Sequence, residues 1–204
     1  MALLAREMGR SIPALEMIYD VRSSRVVSET VDGMGGTAEL FRAGTAHIKK
    51  RMKETGAQFA GELSMHFYFS DFGNCESGDY VMLLMLQLLK KKKKPLSQIW
   101  HDLKKYGHSG ERNFHAQSPI DLTQKLGEIW STIPGATLMK IDGIRIDQWN
   151  GSNEDWWCSI RASNTEPLLR LNLETRDPVK LEGKVEEVVR LLRELDPMLA
   201  PEHL

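Results

Sequence analysis

Short apolar runs alternate with helix-like stretches through the first half of the chain, and near Gly107 that alternation stops. Alternation of this kind is what a layered α/β sheet needs, because each strand must be covered by a helix packed on its face. Residues 2–8 read as a helix and residues 15–21 (LEMIYDV) as a strand with Asp20 at its end. Residues 24–34 read as a helix stopped by Gly35 and Gly36, residues 39–41 as a weak strand, and residues 45–55 as a charged helix stopped at Gly56. Residues 57–61 suit another strand, residues 62–78 a long polar and aromatic loop, residues 80–90 a buried helix, and residues 96–106 a short helix after Pro95.

Past Gly107 the pattern changes to successive strands. Asp142–Gly143 lies between the alternating stretches TLMKI and IRIDQW, a signal for a two-residue hairpin. Residues 156–160 and 168–174 read as further strands. Residues 181–195 read as a helix whose Val185, Val188, Val189, Leu191, Leu192 and Leu195 fall near helical spacing. The expectation is an α/β domain over residues 1–107, followed by a smaller α+β domain over residues 108–204 with strands first and the helix last.

Composition narrows the function classes. Hydrophobic residues make up 41% and charged residues 27% of the 204, a globular balance. The formal net charge is −1, so no global field favours nucleic acid or an anionic membrane, and any anion site must be built locally. The five lysines of residues 90–94 read as a solvated helix end, favoured by the helix dipole. As a nucleic-acid patch they lack interleaved aromatics. Cys75 and Cys158 are too few for a metal cluster or a disulfide framework, and no secretory signal or membrane-length apolar run is visible, so a cytoplasmic protein is expected. His108 and His115 have no partner at metal-ligand spacing.

One segment carries concentrated chemistry. RASNTEPLLR (residues 161–170) joins two strand-like runs and offers Arg161, Ser163, Asn164 and Thr165 within five residues, with Arg170 closing it. A phosphate dianion wants a guanidinium for charge and a fork of neutral donors, which hydroxyls, an amide and turn N–H groups supply. A polar Ser-Asn-Thr turn held by its own side-chain to backbone bonds accounts for the same residues.

The segment is similar to the C-terminal phosphate-binding loop of the α-D-phosphohexomutases, the phosphoglucomutases and phosphomannomutases. The core R-x-S-N-T-E-P stands intact from Arg161 to Pro167. In the first half, Gly61-Glu62-Leu63-Ser64-Met65-His66 resembles that family's sugar loop G-E-x-S-G-H, with Met65 in place of the usual glycine. The stretch YDVRSSRVV (residues 19–27) resembles a strand end that sets a basic residue near the sugar, which makes Arg22 a candidate. AGTAHIKKRM (residues 43–52) has Thr45 where the family often carries histidine, and no role passes to His47. YGHSGERNF (residues 106–114) resembles the family's sequence between domains.

The resemblance implies a three-layer α/β/α domain and then a TATA-box-binding-protein-like domain, an antiparallel sheet with helices. It implies phosphate contacts from Arg161, Ser163, Asn164, Thr165 and Arg170, and sugar contacts from Arg22, Glu62, Ser64 and His66. It also implies a reaction, intramolecular phosphoryl transfer between hexose 1-phosphate and hexose 6-phosphate through a bisphosphate intermediate, with mannose or glucose phosphates as ligands. The family's serine loop (T-A-S-H-N-P type) and magnesium loop (D-G-D-G-D-R type) do not occur in this sequence. The chain is therefore expected to correspond to the family's C-terminal half, its third and fourth domains. No catalytic residue and no bound metal are expected in it, with Mg2+ required by the full-length enzyme and the N-terminal domains as its partners. A free-standing, non-catalytic sugar-phosphate binder is the alternative.

Overall fold

A computed structural model describes residues 1–163 and 166–202. The chain divides into two compact units, Met1–Lys105 and Tyr106–Leu204.

The N-terminal unit is built on one five-stranded sheet. Its central strand β1 (Glu16–Asp20) runs parallel to β2 (Thr37–Phe41) on one side and to β3 (Phe59–Gly61) on the other. Two antiparallel strands extend it, β4 (Phe67–Phe69) and β5 (Cys75–Glu76), giving the order β2-β1-β3-β4-β5. The helices are α1 (Ala2–Met8), α2 (Val26–Asp32), α3 (Thr45–Thr55), α4 (Gly78–Lys92) and α5 (Leu96–His101). Strand residues alternate between faces. Ile18, Ala60 and Tyr68 meet Ile48 and Met52 of α3 in one buried cluster. Phe59 and Phe69 stack on each other with ring centroids 5.3 Å apart, and Phe69 meets Tyr80 of α4 edge-on at 4.8 Å. Because α1 packs beside α2 and α4, the unit has three layers with the sheet between helices.

The alternating segments of this half form where the sequence places them, with three differences, one being that the helix expected over residues 96–106 ends at His101 as α5. The stretch 62–78 is not all loop, since its aromatics form β4 and continue the sheet antiparallel to β3. The helix expected to be buried over residues 80–90 exists as α4, yet of its side chains only Leu88 is buried. Met82, Leu83 and Leu86 stand more than half exposed. The lysine run closes α4, with Lys93 in the left-handed region donating its N–H to Leu89.

The C-terminal unit holds an antiparallel sheet of β7 (Arg112–His115), β8 (Thr137–Met139), β9 (Ile144–Gln148), β10 (Trp156–Ala162), β11 (Leu168–Thr175) and β12 (Ala200–Pro201), in the order β12-β7-β11-β10-β9-β8. A short β6 (Gly107–His108) pairs with the far end of β11. Two helices, α6 (Pro119–Trp130) and α7 (Leu181–Leu195), cover one face. Leu122, Leu126 and Trp130 of α6 and Val185, Val188 and Leu192 of α7 pack on Ile146, Cys158, Ile160, Leu169, Leu171 and Leu173. Each such aliphatic side chain contributes about 1.5–3 kcal/mol through burial. Burial also pushes the Cys158 thiol above its ordinary range, which suits an inert packing residue.

Here too the sequence expectation needs correcting. The helix does not come last alone, because α6 lies between β7 and β8. The β8–β9 hairpin forms around Asp142 and Gly143, both at positive φ, but Met139 pairs with Arg145, so the connection is longer than two residues. Gly143 comes so close to β10 that a Cβ there would lie 2.3 Å from the Ile160 carbonyl and 2.8 Å from Arg161 Cα. Among the described residues, no helix is long and apolar enough to cross a membrane.

Candidate functional site

In the N-terminal unit the residues of interest gather where β1 and β3 end, next to the N-terminus of α3. Asp20 closes β1 and is fully buried. Its Oδ2 accepts from Arg22 Nε (2.8 Å) and from the Leu63 backbone N–H (3.1 Å), and its Oδ1 accepts from Ser23 Oγ (2.7 Å). One strand-end carboxylate thus ties the 62–66 loop to the end of β1. Arg22 is held by that pair, and its Nη2 lies 3.6 Å from Glu62 Oε2 and donates to Ser64 Oγ at 3.4 Å. Glu62 is only 4% exposed and both of its oxygens are engaged. Oε1 accepts from the Tyr68 hydroxyl (2.7 Å) and Oε2 from the Gly44 backbone N–H (2.9 Å). The Tyr68 proton goes to Glu62, so the 2.9 Å contact between Thr45 Oγ1 and Tyr68 has the threonine as donor. Burial first, and then the hydrogen bond and charge of Glu62, raise the Tyr68 phenol above its ordinary value against an opposing bond from Thr45.

The structure therefore brings Arg22, Glu62 and Ser64 together and leaves His66 aside. His66 Nδ1 meets Glu76 Oε1 at 2.8 Å in a half-exposed pair. The turn is closed by Met65 N–H to the Glu62 carbonyl and by Glu62 N–H to the His66 carbonyl. Met65 takes φ +70° to do so and points outward, 71% exposed. The chain keeps a glycine-like turn with a side chain in the left-handed region, which costs about 1–2 kcal/mol.

In the C-terminal unit the segment of residues 161–170 is the tip of the β10–β11 hairpin. Arg161 pairs directly with Arg170 across the two strands. Ile160 and Leu171 face the helices, so both arginines stand on the opposite face of the sheet. Two like charges directly opposite are unfavourable by themselves. Glu111 bridges them, 3.6 Å from Arg161 Nη2 and 3.2 Å from Arg170 Nη1. Arg170 Nη2 also donates to Ser163 Oγ and to Glu166 Oε2, each at 3.4 Å. Nε of Arg161 and Nε of Arg170 are buried without a hydrogen-bond partner among the described residues. Ser163 N–H continues the ladder to the Leu168 carbonyl at 2.8 Å. Asn164 and Thr165 lie outside the described residues.

Several participants escape a reading of the sequence. Glu111 sits in the YGHSGERNF segment, where only the resemblance marks it. Tyr68 and Gly44 are ordinary until the fold brings them to Glu62. His108 accepts from the Gly110 N–H at 3.0 Å and lies against Trp157, and His115 is exposed on β7. No group of three or more His, Cys, Asp or Glu side chains that could hold a metal ion occurs among the described residues.

Comparison with known proteins adds an independent line. The family profile described as phosphoglucomutase/phosphomannomutase, alpha/beta/alpha domain III, matches residues 1–106, and the C-terminal domain profile of the same family matches residues 92–191. A phosphomannomutase of Methanocaldococcus jannaschii is 38% identical over 198 residues, which is 97% of this chain and 42% of that protein. A phosphomannomutase of Escherichia coli K12 is 32% identical over 94% of this chain and 41% of its own length. Among solved structures, a phosphoglucomutase/phosphomannomutase family protein from Burkholderia thailandensis superposes with a TM-score of 0.77 at 27% identity, covering 95% of this chain and 40% of that one. The chain thus spans well under half the length of these relatives, and over the stretch that it spans it belongs to the phosphoglucomutase/phosphomannomutase family.

Proposed function

We propose that this chain supplies substrate recognition to the interconversion of hexose 1-phosphate and hexose 6-phosphate. Residues 108–204 take the phosphate that is not reacting, and residues 1–107 contact the sugar hydroxyls. The observation that carries the reading is the arginine pair. Arg161 and Arg170 stand opposite one another with Glu111 spanning them, and each keeps a buried Nε without a partner among the described residues. A phosphate dianion would supply acceptors and relieve the repulsion at once. Ser163, Asn164 and Thr165 complete the proposed grip. Arg22, Glu62, Ser64 and His66 are the proposed sugar contacts. Glu62 reaches a ligand through the lone pairs that Tyr68 and Gly44 leave unused.

The transfer step belongs to a serine loop and an Mg2+ loop of the kinds found in the family, supplied from outside residues 1–204. Mannose or glucose phosphates and their bisphosphate are the ligands proposed for this chain. Isothermal titration with glucose 1-phosphate tests the grip. Arg161→Ala should lose about 1.5–3 kcal/mol of binding, roughly ten- to hundredfold in affinity. Unchanged affinity would refute the assignment, and magnesium-dependent conversion of glucose 1-phosphate by this chain alone would refute the division of labour.

A further inference from the structure

Helix α4 carries a surface that helices facing water do not. Met82, Leu83 and Leu86 are 55%, 58% and 55% exposed. They lie on one side of the helix, within about a turn and a half. Single exposed apolar residues are ordinary, but three large ones side by side form a patch that marks an interaction surface. The same stripe continues one turn earlier to Asp79 and one turn later to Lys90, following the three- and four-residue spacing of a helix face. Asp79 and Lys90 have no hydrogen-bond or ion-pair partner among the described residues. Lys91, one position on, turns back to Glu7 of α1 at 3.8 Å.

The order along the stripe is acidic, apolar, basic, and it is symmetric. The midpoint between Leu83 and Leu86 is also the midpoint between Asp79 and Lys90. A surface with opposite signs at equal distances from its centre is its own complement when turned about a two-fold axis. Antiparallel pairing of α4 with α4 sets Leu83 of one copy against Leu86 of the other and brings Asp79 against Lys90 twice. The helix dipoles run opposite in the same arrangement. An anionic lipid surface would take Lys90 but repel Asp79. A purely apolar partner would leave both charges unmatched at the rim. We propose that the α4 stripe docks on a second copy of this chain, forming an antiparallel, two-fold symmetric homodimer.

Sedimentation equilibrium of the full chain over a range of micromolar concentrations tests this. The expected result is a reversible dimer. Leu86→Glu should raise its dissociation constant by about tenfold or more, and so should Asp79→Lys or Lys90→Asp alone. The double swap Asp79→Lys with Lys90→Asp should return the constant toward its starting value. These positions are exposed, and circular dichroism of each variant should match the parent. A chain that stays monomeric at every concentration overturns the proposal, whether or not it sediments with anionic vesicles. A dimer indifferent to Leu86→Glu and to the charge swaps overturns it equally.

Discussion

The two candidate sites handle charge in opposite ways. Around Glu62 every strong group already has a partner: the carboxylate takes a phenol and a backbone N–H, Arg22 is clasped by Asp20, and Asp20 is itself saturated. At the β10–β11 tip two arginines share the bridging Glu111, Arg170 also reaches Glu166, and each arginine keeps a buried Nε unmatched among the described residues. The first region is complete as a piece of protein, with its strong groups already paired to one another. The second keeps two guanidinium nitrogens unmatched among the described residues, which an added anion would satisfy. Preorganisation and unsatisfied charge are thus two distinct ways for a region to be ready for a ligand, and the first suits neutral hydroxyls while the second suits an anion.

The largest expected effect tests the saturated side. Glu62→Ala removes the acceptor of Tyr68 and Gly44 and a neighbour of Arg22. It should destabilise the N-terminal unit by about 2–4 kcal/mol in urea unfolding. A loss below about 0.5 kcal/mol would mean that the network holds nothing together. The unsatisfied side should respond the other way. Arg170→Ala should change stability without ligand by less than about 1 kcal/mol, because it also removes a repulsion. It should abolish the stabilisation that saturating inorganic phosphate gives the parent, read as a melting shift. An equal phosphate shift in both proteins would place the anion elsewhere.

Asp155 asks whether saturation belongs to one unit or to buried carboxylates in general. It is 1% exposed in the C-terminal unit. Burial alone would raise its pKa, but the N–H groups of Asn150 and Gly151, the Arg176 guanidinium and the Ser152 hydroxyl outweigh that and hold it at about 2. A folded-state value below the unfolded one contributes stability that is complete above pH ~4 and is lost as pH falls toward 2. Asp155→Asn should cost about 1–2 kcal/mol at neutral pH and flatten that acid limb. An unchanged acid limb would show that other carboxylates set it. The smallest effect is Met65→Gly. Relief of the left-handed strain is partly offset by the extra freedom of glycine when unfolded, leaving a gain of about 0.5 kcal/mol. A loss of stability would show that the exposed methionine packs on something in solution.

Much of this architecture is legible in the residues. Helix α7 spans Leu181–Leu195, the range its apolar spacing predicts, because one stripe faces one core. Asp20 at a strand end and the segment of residues 161–170 between two strands could be marked without coordinates. The bridging of Arg161 and Arg170 could not, since Glu111 lies far away in sequence and arrives only through the pairing of β7 with β11. Helix α4 misleads for a physical reason. Its composition states that it wants to be covered but not by what, and a reading limited to one chain assigns the cover to that chain's own core.

The close approach of Gly143 to β10 has a consequence for inheritance as well as for shape. A residue that faces no ligand and offers no functional group fixes where the backbone of Arg161 can lie. Replacement of Gly143 by alanine would push on Ile160 and Arg161 together and shift the aim of a guanidinium without altering its chemistry. Mutations that disturb the proposed phosphate grip should therefore also be found on the neighbouring hairpin, at a position that no inventory of polar groups would include.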